Sequence, residues 1–122
     1  MAEIPRFTEQ ALVVEEPAGE NLIFRISAER IDTTNAVDFR AVVENSLDNE
    51  FRNYILDFSK VGLIDSSGFS VLIMLAKKMP PEKNIFLTSL NKDILKVFTM
   101  MRLDSLFRIF SSTEEVLADN SY

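Results

Sequence analysis

The chain has 122 residues, 47% of them aliphatic or aromatic and 26% charged, with 19 acidic side chains against 13 basic ones. That length suits one compact domain, and the apolar share is too high for a disordered segment. A net charge of −6, with Lys77-Lys78 as the only adjacent pair of cations, offers no basic stripe for nucleic acid.

Two residue types are missing. Without cysteine there is no disulfide framework, thiolate nucleophile or sulfur metal ligand. Without histidine the commonest general base and transition-metal ligand is gone. An enzyme is therefore not expected, and neither is a bound cofactor or metal. The longest apolar run, Phe69–Ala76 with Ser70 inside it, is far short of the roughly 18 residues that cross a bilayer. The opening Met1-Ala-Glu-Ile-Pro-Arg lacks the basic-then-apolar layout of a signal peptide. A cytoplasmic protein that does not insert into membranes is the expectation.

Residues 1–10 carry few apolar side chains and are expected to form a tail or edge extension ahead of a single domain over residues 11–122. Ala11-Leu-Val-Val-Glu and Asn21-Leu-Ile-Phe-Arg-Ile-Ser are β-rich, and Glu16-Pro-Ala-Gly-Glu between them supplies the Pro and Gly of a turn, which predicts a hairpin. Asp32-Thr33-Thr34 can cap a first helix, in which Ala36, Phe39, Val43 and Leu47 mark one buried face. Asn53-Tyr-Ile-Leu-Asp-Phe is apolar nearly throughout, as in a strand covered on both faces.

A short link, Ser59–Ile64, leads to Asp65-Ser-Ser-Gly and a helix over Phe69–Met79, with Leu72, Leu75, Ala76 and Met79 on one face. Pro80-Pro81 stops that helix. Asn84–Thr88 reads as a strand, and Asn91 caps a third helix with a stripe of Ile94, Val97, Phe98 and Met101. Met100-Met101 belongs to core and rim or, alternatively, to an adaptable partner surface. Leu106–Phe110 can form a last strand, and Ser112 can cap a terminal helix over Val116 and Leu117. The alternation implies an α/β fold: a mixed, mostly parallel sheet of four or five strands with about four helices packed against it.

Sites in such sheets gather where strands end and helices begin. Asp65-Ser66-Ser67-Gly68 lies at such a place. Its residues are ordinary helix-capping types, and Gly68 also suits close packing. A phosphate on Ser66 would bring about −1.5 to −2 of charge to free helix-terminal amides but also to Asp65. The two effects oppose each other within the monomer, so the residues alone leave a cap and a regulatory serine both open.

The run Asn53-Tyr-Ile-Leu-Asp-Phe-Ser-Lys-Val-Gly-Leu-Ile-Asp-Ser-Ser-Gly-Phe resembles the signature of STAS domains, named from sulphate transporters and anti-sigma factor antagonists. Arg30-Ile31-Asp32 with Asn35-Ala36, and Asn91-Lys-Asp-Ile-Leu-Lys-Val-Phe with Leu103-Asp-Ser-Leu-Phe, are similar to flanking segments of that family. The likeness spans roughly Leu12 to Leu117 and implies a STAS-like fold. It further implies a single-domain antagonist that binds an anti-sigma factor serine kinase, releases the sigma factor, and lets go when the kinase phosphorylates it. The ATP belongs to the kinase, and a serine phosphatase resets the switch. On this chain the implied acceptor is Ser66, with Ser67 second. Asp65 and Asp32 are its acidic neighbours, Gly68 gives the partner backbone room, and Phe69 and Leu72 lie near the contact face. Ala28-Glu29-Arg30 departs from the family, which usually has Gly before its Leu-Asp step, so that turn must differ or Glu29 must tolerate it.

Other readings start further back. A STAS domain can instead be a scaffold in a sensory assembly or an accessory subunit of a membrane transport system. A phospho-aspartate receiver would use Asp57, with Glu15-Glu16 as a Mg²⁺ pair, but no lysine follows a later strand in a convincing place. A serine hydrolase would need the missing histidine or a substitute base.

Overall fold

The computed structural model describes residues 12–47 and 50–119. The expected tail at residues 1–10 therefore lies outside the described residues. The elements are β1 (Val13–Ala18), β2 (Asn21–Ile26), β3 (Arg30–Ile31), α1 (Ala36–Asn45), β4 (Asn53–Asp57), β5 (Leu63–Ile64) and α2 (Ser66–Lys78). They continue with β6 (Asn84–Thr88), α3 (Lys92–Met100), a 3-10 turn (Leu103–Ser105), β7 (Arg108–Phe110) and α4 (Thr113–Ala118).

Five strands form the main sheet in the order β1-β2-β4-β6-β7, with β1 antiparallel to β2 and the other pairs parallel. The hairpin turn is shorter than its composition suggests. Pro17 lies within β1, paired with Leu22, and the chain reverses at Gly19-Glu20, where Gly19 takes φ +64°. An edge strand tolerates Pro because one row of its amides has no partner to donate to. β4 sits at the centre with every residue buried, as its unbroken apolar run implies.

The period-two alternation of the strands sorts the core into two layers. Leu22, Phe24, Tyr54, Leu56, Ile85 and Leu87 face the layer that includes Phe39 and Val43 of α1, Leu72 and Leu75 of α2, and Ile94 and Phe98 of α3. Ile23, Ile55 and Phe86 point the other way, under Val116 of α4. The parallel strands start in register on a ladder of amides: Asn84 Nδ2 donates to Asn53 Oδ1 at 2.8 Å, and Asn53 Nδ2 to Asn21 Oδ1 at 2.9 Å.

Helix boundaries and faces follow their signals with two exceptions besides the start of α2, which lies at Ser66 rather than Phe69. Pro80 sets the end of α2, since Met79 before it has turned to extended geometry at ψ 126°. The first exception is α1, whose N-cap position is Asn35 rather than the Asp32–Thr34 cluster. The second is the α3 stripe. Ile94 and Phe98 are buried, but Val97 is 36% and Met101 50% exposed.

Candidate functional site: a serine turn at the start of α2

The site is assembled by a second, two-stranded sheet that has no counterpart among the expected elements. β3 and β5 are two residues each and run parallel, with Arg30 opposite Leu63 and Ile31 opposite Ile64. Further backbone bonds extend the pairing: Gly62 N–H to the Glu29 carbonyl at 2.7 Å, and Asp65 N–H to the Ile31 carbonyl at 3.1 Å. The loops that open α1 and α2 are thereby held side by side. Glu29 is accommodated because its φ is not among the positive values in the described chain. Its carbonyl accepts from both Gly62 and Leu63.

Asp65 ties the two loops together. One carboxylate oxygen caps α2 by accepting from Gly68 N–H at 3.1 Å, and the other accepts from Thr33 N–H at 3.3 Å. In the neighbouring loop, Asp32 accepts from the Thr34 amide at 3.0 Å and from the Thr34 hydroxyl. Its own amide donates to Asn35 Oδ1 at 3.0 Å, and Asn35 Nδ2 donates to the Arg30 carbonyl at 2.9 Å. The Asp32–Asn35 segment is thus a self-bonded turn, which is why Asn35 is not free to cap α1 with its side chain. The Thr34 hydroxyl bond, then the Thr34 amide, and Arg30 more weakly, hold the Asp32 carboxyl below its ordinary value.

Ser66 is the first helical residue of α2 and is exposed, whereas Ser67 is half-buried. The Ser66 hydroxyl takes part in no hydrogen bond among the described residues. Capping has been taken over by Asp65, and this leaves Ser66 uncommitted. Its amide is one of the first-turn donors that have no acceptor within the helix.

Gly68 has a packing role within the fold. A Cβ there would stand 2.6 Å from Ile64 Cγ2 and 2.8 Å from the Ile31 carbonyl oxygen. The missing side chain makes room for β3 and β5, the close packing that Gly68 also suits. Phe69 and Leu72 need correcting as contact residues. They are 6% and 0% exposed, and Phe69 packs edge-on against Phe98 with ring centroids 5.3 Å apart. They sit on the same helix face as Leu75 and belong to the core. The apolar side chains exposed on these elements are Val37 on α1, Leu63 on β5 and Met74 on α2. Met74 follows Ser66 and Ser70 at four-residue steps, on the outward face.

Asp57, the possible receiver aspartate, is 5% exposed and fully engaged. It accepts from Arg25 Nη1 at 2.8 Å, the Thr113 hydroxyl at 3.0 Å and the Ser59 amide at 2.9 Å. Of the pair offered for Mg²⁺, Glu16 is bound to Arg25 Nε at 2.6 Å and Glu15 to the Ser46 hydroxyl at 2.9 Å. Glu16 and Asp57 meet on Arg25 and tie three strands, while Glu15 ties β1 to the end of α1, so these carboxylates do not converge on an open site.

A mixed sheet covered by helices on both faces, with an uncommitted serine where a strand hands over to a helix, defines a class of small α/β modules built around that turn. The family model for the STAS domain matches residues 11–116, and the chain belongs to that family. Solved structures agree on the fold. An anti-sigma factor antagonist from Mycobacterium paratuberculosis is 16% identical, with a TM-score of 0.79 over 87% of this chain and 90% of that one. The Bacillus cell fate determinant SpoIIAA in its phosphorylated form is 18% identical, with a TM-score of 0.67 over 90% and 99%. Murine Slc26a9, an anion transporter, matches at 18% identity and a TM-score of 0.73 over 84% of this chain but only 18% of its own. No helix among the described residues is long and apolar enough to cross a membrane.

Proposed function

We propose that this chain is an anti-sigma factor antagonist switched by phosphorylation of Ser66. Unphosphorylated, it binds an anti-sigma factor that is also a serine kinase and so frees the sigma factor. Phosphorylated, it lets go until a serine phosphatase resets it. The observation that carries the reading is the Ser66 hydroxyl, exposed at the first position of α2 and unused by the fold because Asp65 does the capping.

Physical chemistry supports loss of a partner contact rather than a change of shape. A phosphoserine brings about −1.5 to −2 of charge. The α2 amides and dipole favour it, but the carboxylates of Asp65 and Asp32 oppose it. At a protein contact, by contrast, the dianion must be stripped of water without a countercharge. The exposed apolar side chains of Val37, Leu63 and Met74 are better suited to such a contact than Phe69 or Leu72.

The test is incubation with the candidate kinase and ATP, then mass spectrometry of the peptide bearing Ser66 and Ser67. Phosphate on Ser66 is expected; none on either residue, with a kinase shown to be active, defeats the proposal. Ser66→Asp should weaken kinase binding at least about tenfold, or about 1.4 kcal/mol, while Ser66→Ala keeps it. Co-purification separates the alternative roles: a soluble ATP-binding kinase supports the antagonist, and a membrane transport subunit or a large sensory scaffold supports the others.

A further inference from the structure

Three helices of this chain open on the same bond, made by three different side chains. Asp65 accepts from the Gly68 amide at 3.1 Å, Asn91 from the Ile94 amide at 2.8 Å and Ser112 from the Glu115 amide at 3.1 Å. Asn, Asp and Ser serve about equally well at that position, so the cap of α3 does not by itself call for asparagine. We propose that Asn91 is a positioning residue for the serine turn: its oxygen caps α3, and its nitrogen holds the link that presents Ser66. The inference rests on Ser66 being the switch.

What asparagine adds to a cap is a donor. Asn91 Nδ2 stands 3.3 Å from the Gly62 carbonyl oxygen and 3.4 Å from that of Val61, a shared pair of bonds, each long. The surroundings fix which way the amide faces. Turned over, it would set its oxygen against two carbonyls and its nitrogen against the Ile94 N–H. Asp65 makes the complementary use of its second atom, an oxygen that accepts from the Thr33 amide.

The link needs such a hold at one place. Phe58, Val61 and Ile64 are anchored by buried side chains, but Gly62 and Leu63 are exposed, and Gly62 has no side chain to anchor. Backbone groups must therefore fasten this stretch. On one side the Gly62 and Leu63 amides donate to the Glu29 carbonyl at 2.7 and 3.3 Å. On the other, Asn91 takes the carbonyls of Val61 and Gly62. Gly62 is thus gripped from both neighbouring loops, three positions before Asp65 and four before Ser66. The bonds from the Phe58 amide to the Thr88 carbonyl and from the Ser59 amide to Asp57 fix the start of the link, not this exposed part. Losing the Nδ2 donor frees the carbonyl side, so the β3–β5 pair and the cap that follows it should open more often.

Hydrogen exchange measured by NMR on the whole chain is the test. Asn91→Asp keeps an acceptor for the Ile94 amide, suits the positive end of the helix and loses the donor. Asn91→Ser keeps an acceptor and loses the donor without adding charge. In both, the Gly62, Leu63 and Asp65 amides should exchange at least about fivefold faster, the worth of one net hydrogen bond, while the Ile94 amide and the thermal melt hold. Asn91→Ala, which loses the cap as well, should expose the Ile94 amide too. Unchanged exchange at Gly62, Leu63 and Asp65 overturns the proposal. So does loosening in the Asp variant alone, which would be repulsion by a carboxylate rather than loss of a donor. With the kinase and ATP, both variants should take phosphate on Ser66 with kcat/KM lowered at least about fivefold, and rates equal to wild type also overturn it. A wild-type chain that takes no phosphate from an active kinase defeats the Ser66 reading itself, and the exchange result separates that failure from this one.

Discussion

Asp57 and Asp65 are both aspartates at strand ends, eight residues apart, each followed within two positions by a serine, yet the fold uses them in opposite ways. Asp57 is consumed by the fold. It collects a guanidinium from β2, a hydroxyl from α4 and the Ser59 amide, and the Thr113 hydroxyl that donates to it is 2.7 Å from that of Thr88. Because Thr113 spends its proton on Asp57, Thr88 must be the donor to Thr113. Asp65 is half-buried and holds only two amides, but by capping α2 it releases the hydroxyl next to it. The difference teaches how a switch is read in a structure. The engaged carboxylate marks the scaffold, and the group left without work beside a capping one marks the position available to chemistry.

The largest effect should come from the scaffold side. Asp57→Ala takes the acceptor from the buried Thr113 hydroxyl, the Ser59 amide and one Arg25 nitrogen, while the Thr88–Thr113 bond remains; because Arg25 is 40% exposed and can turn to water, the expected cost is about 2–3 kcal/mol rather than that of a fully buried pair. Urea unfolding measures it, and a loss below about 0.5 kcal/mol would mean that the network is decorative. Next comes Gly68→Ala. One of the atoms its Cβ meets is the Ile31 backbone carbonyl, which cannot rotate away, so about 1–3 kcal/mol should be lost. If unfolding shows no change, the β3–β5 pair is softer than its hydrogen bonds suggest, and room for a partner becomes the better account of Gly68.

Much of this frame could be read from the residues, and the failures share a cause. β4 was legible because an unbroken apolar strand has few alternatives, and the Pro80-Pro81 stop because proline acts locally. β3 and β5 were not: two residues carry no periodicity, and their pairing depends on contacts more than thirty positions apart. The hairpin turn falls later than its composition implies because Pro17 reads as a turn residue unless the strand is known to be an edge. For Phe69 and Leu72 the signal was present in the chain itself. A face that buries Leu75 at position 75 also takes in positions 72 and 68–69 by helical spacing, so the outward residues had to be Ser66, Ser70 and Met74. Ser66 itself was legible as a position. Its freedom was not, since that depends on which of three capping residues takes the Gly68 amide.

The two smallest effects sharpen the comparison most. Asp65→Ala removes the cap of α2 and the tie to Thr33. A lost helix cap costs about 0.5–2 kcal/mol, and about 1 is expected here because water can reach the released Thr33 amide on an exposed loop. Ser66→Ala should change stability by less than about 0.5 kcal/mol, because the hydroxyl has no partner to lose and alanine is a good helix former at an exposed first position. If the order were reversed, Ser66 would be the cap, and its hydroxyl would have to leave a structural bond before any kinase could use it. A double variant adds the decisive comparison. When Asp65 is absent, Ser66 is the nearest side chain able to take over amides of the first turn, so Ser66→Ala should cost more in the Asp65→Ala background than alone. Strict additivity would instead mean that the two side chains never compete for the same donors. The uncommitted state of Ser66 would then be a matter of its position in the helix rather than of the aspartate before it.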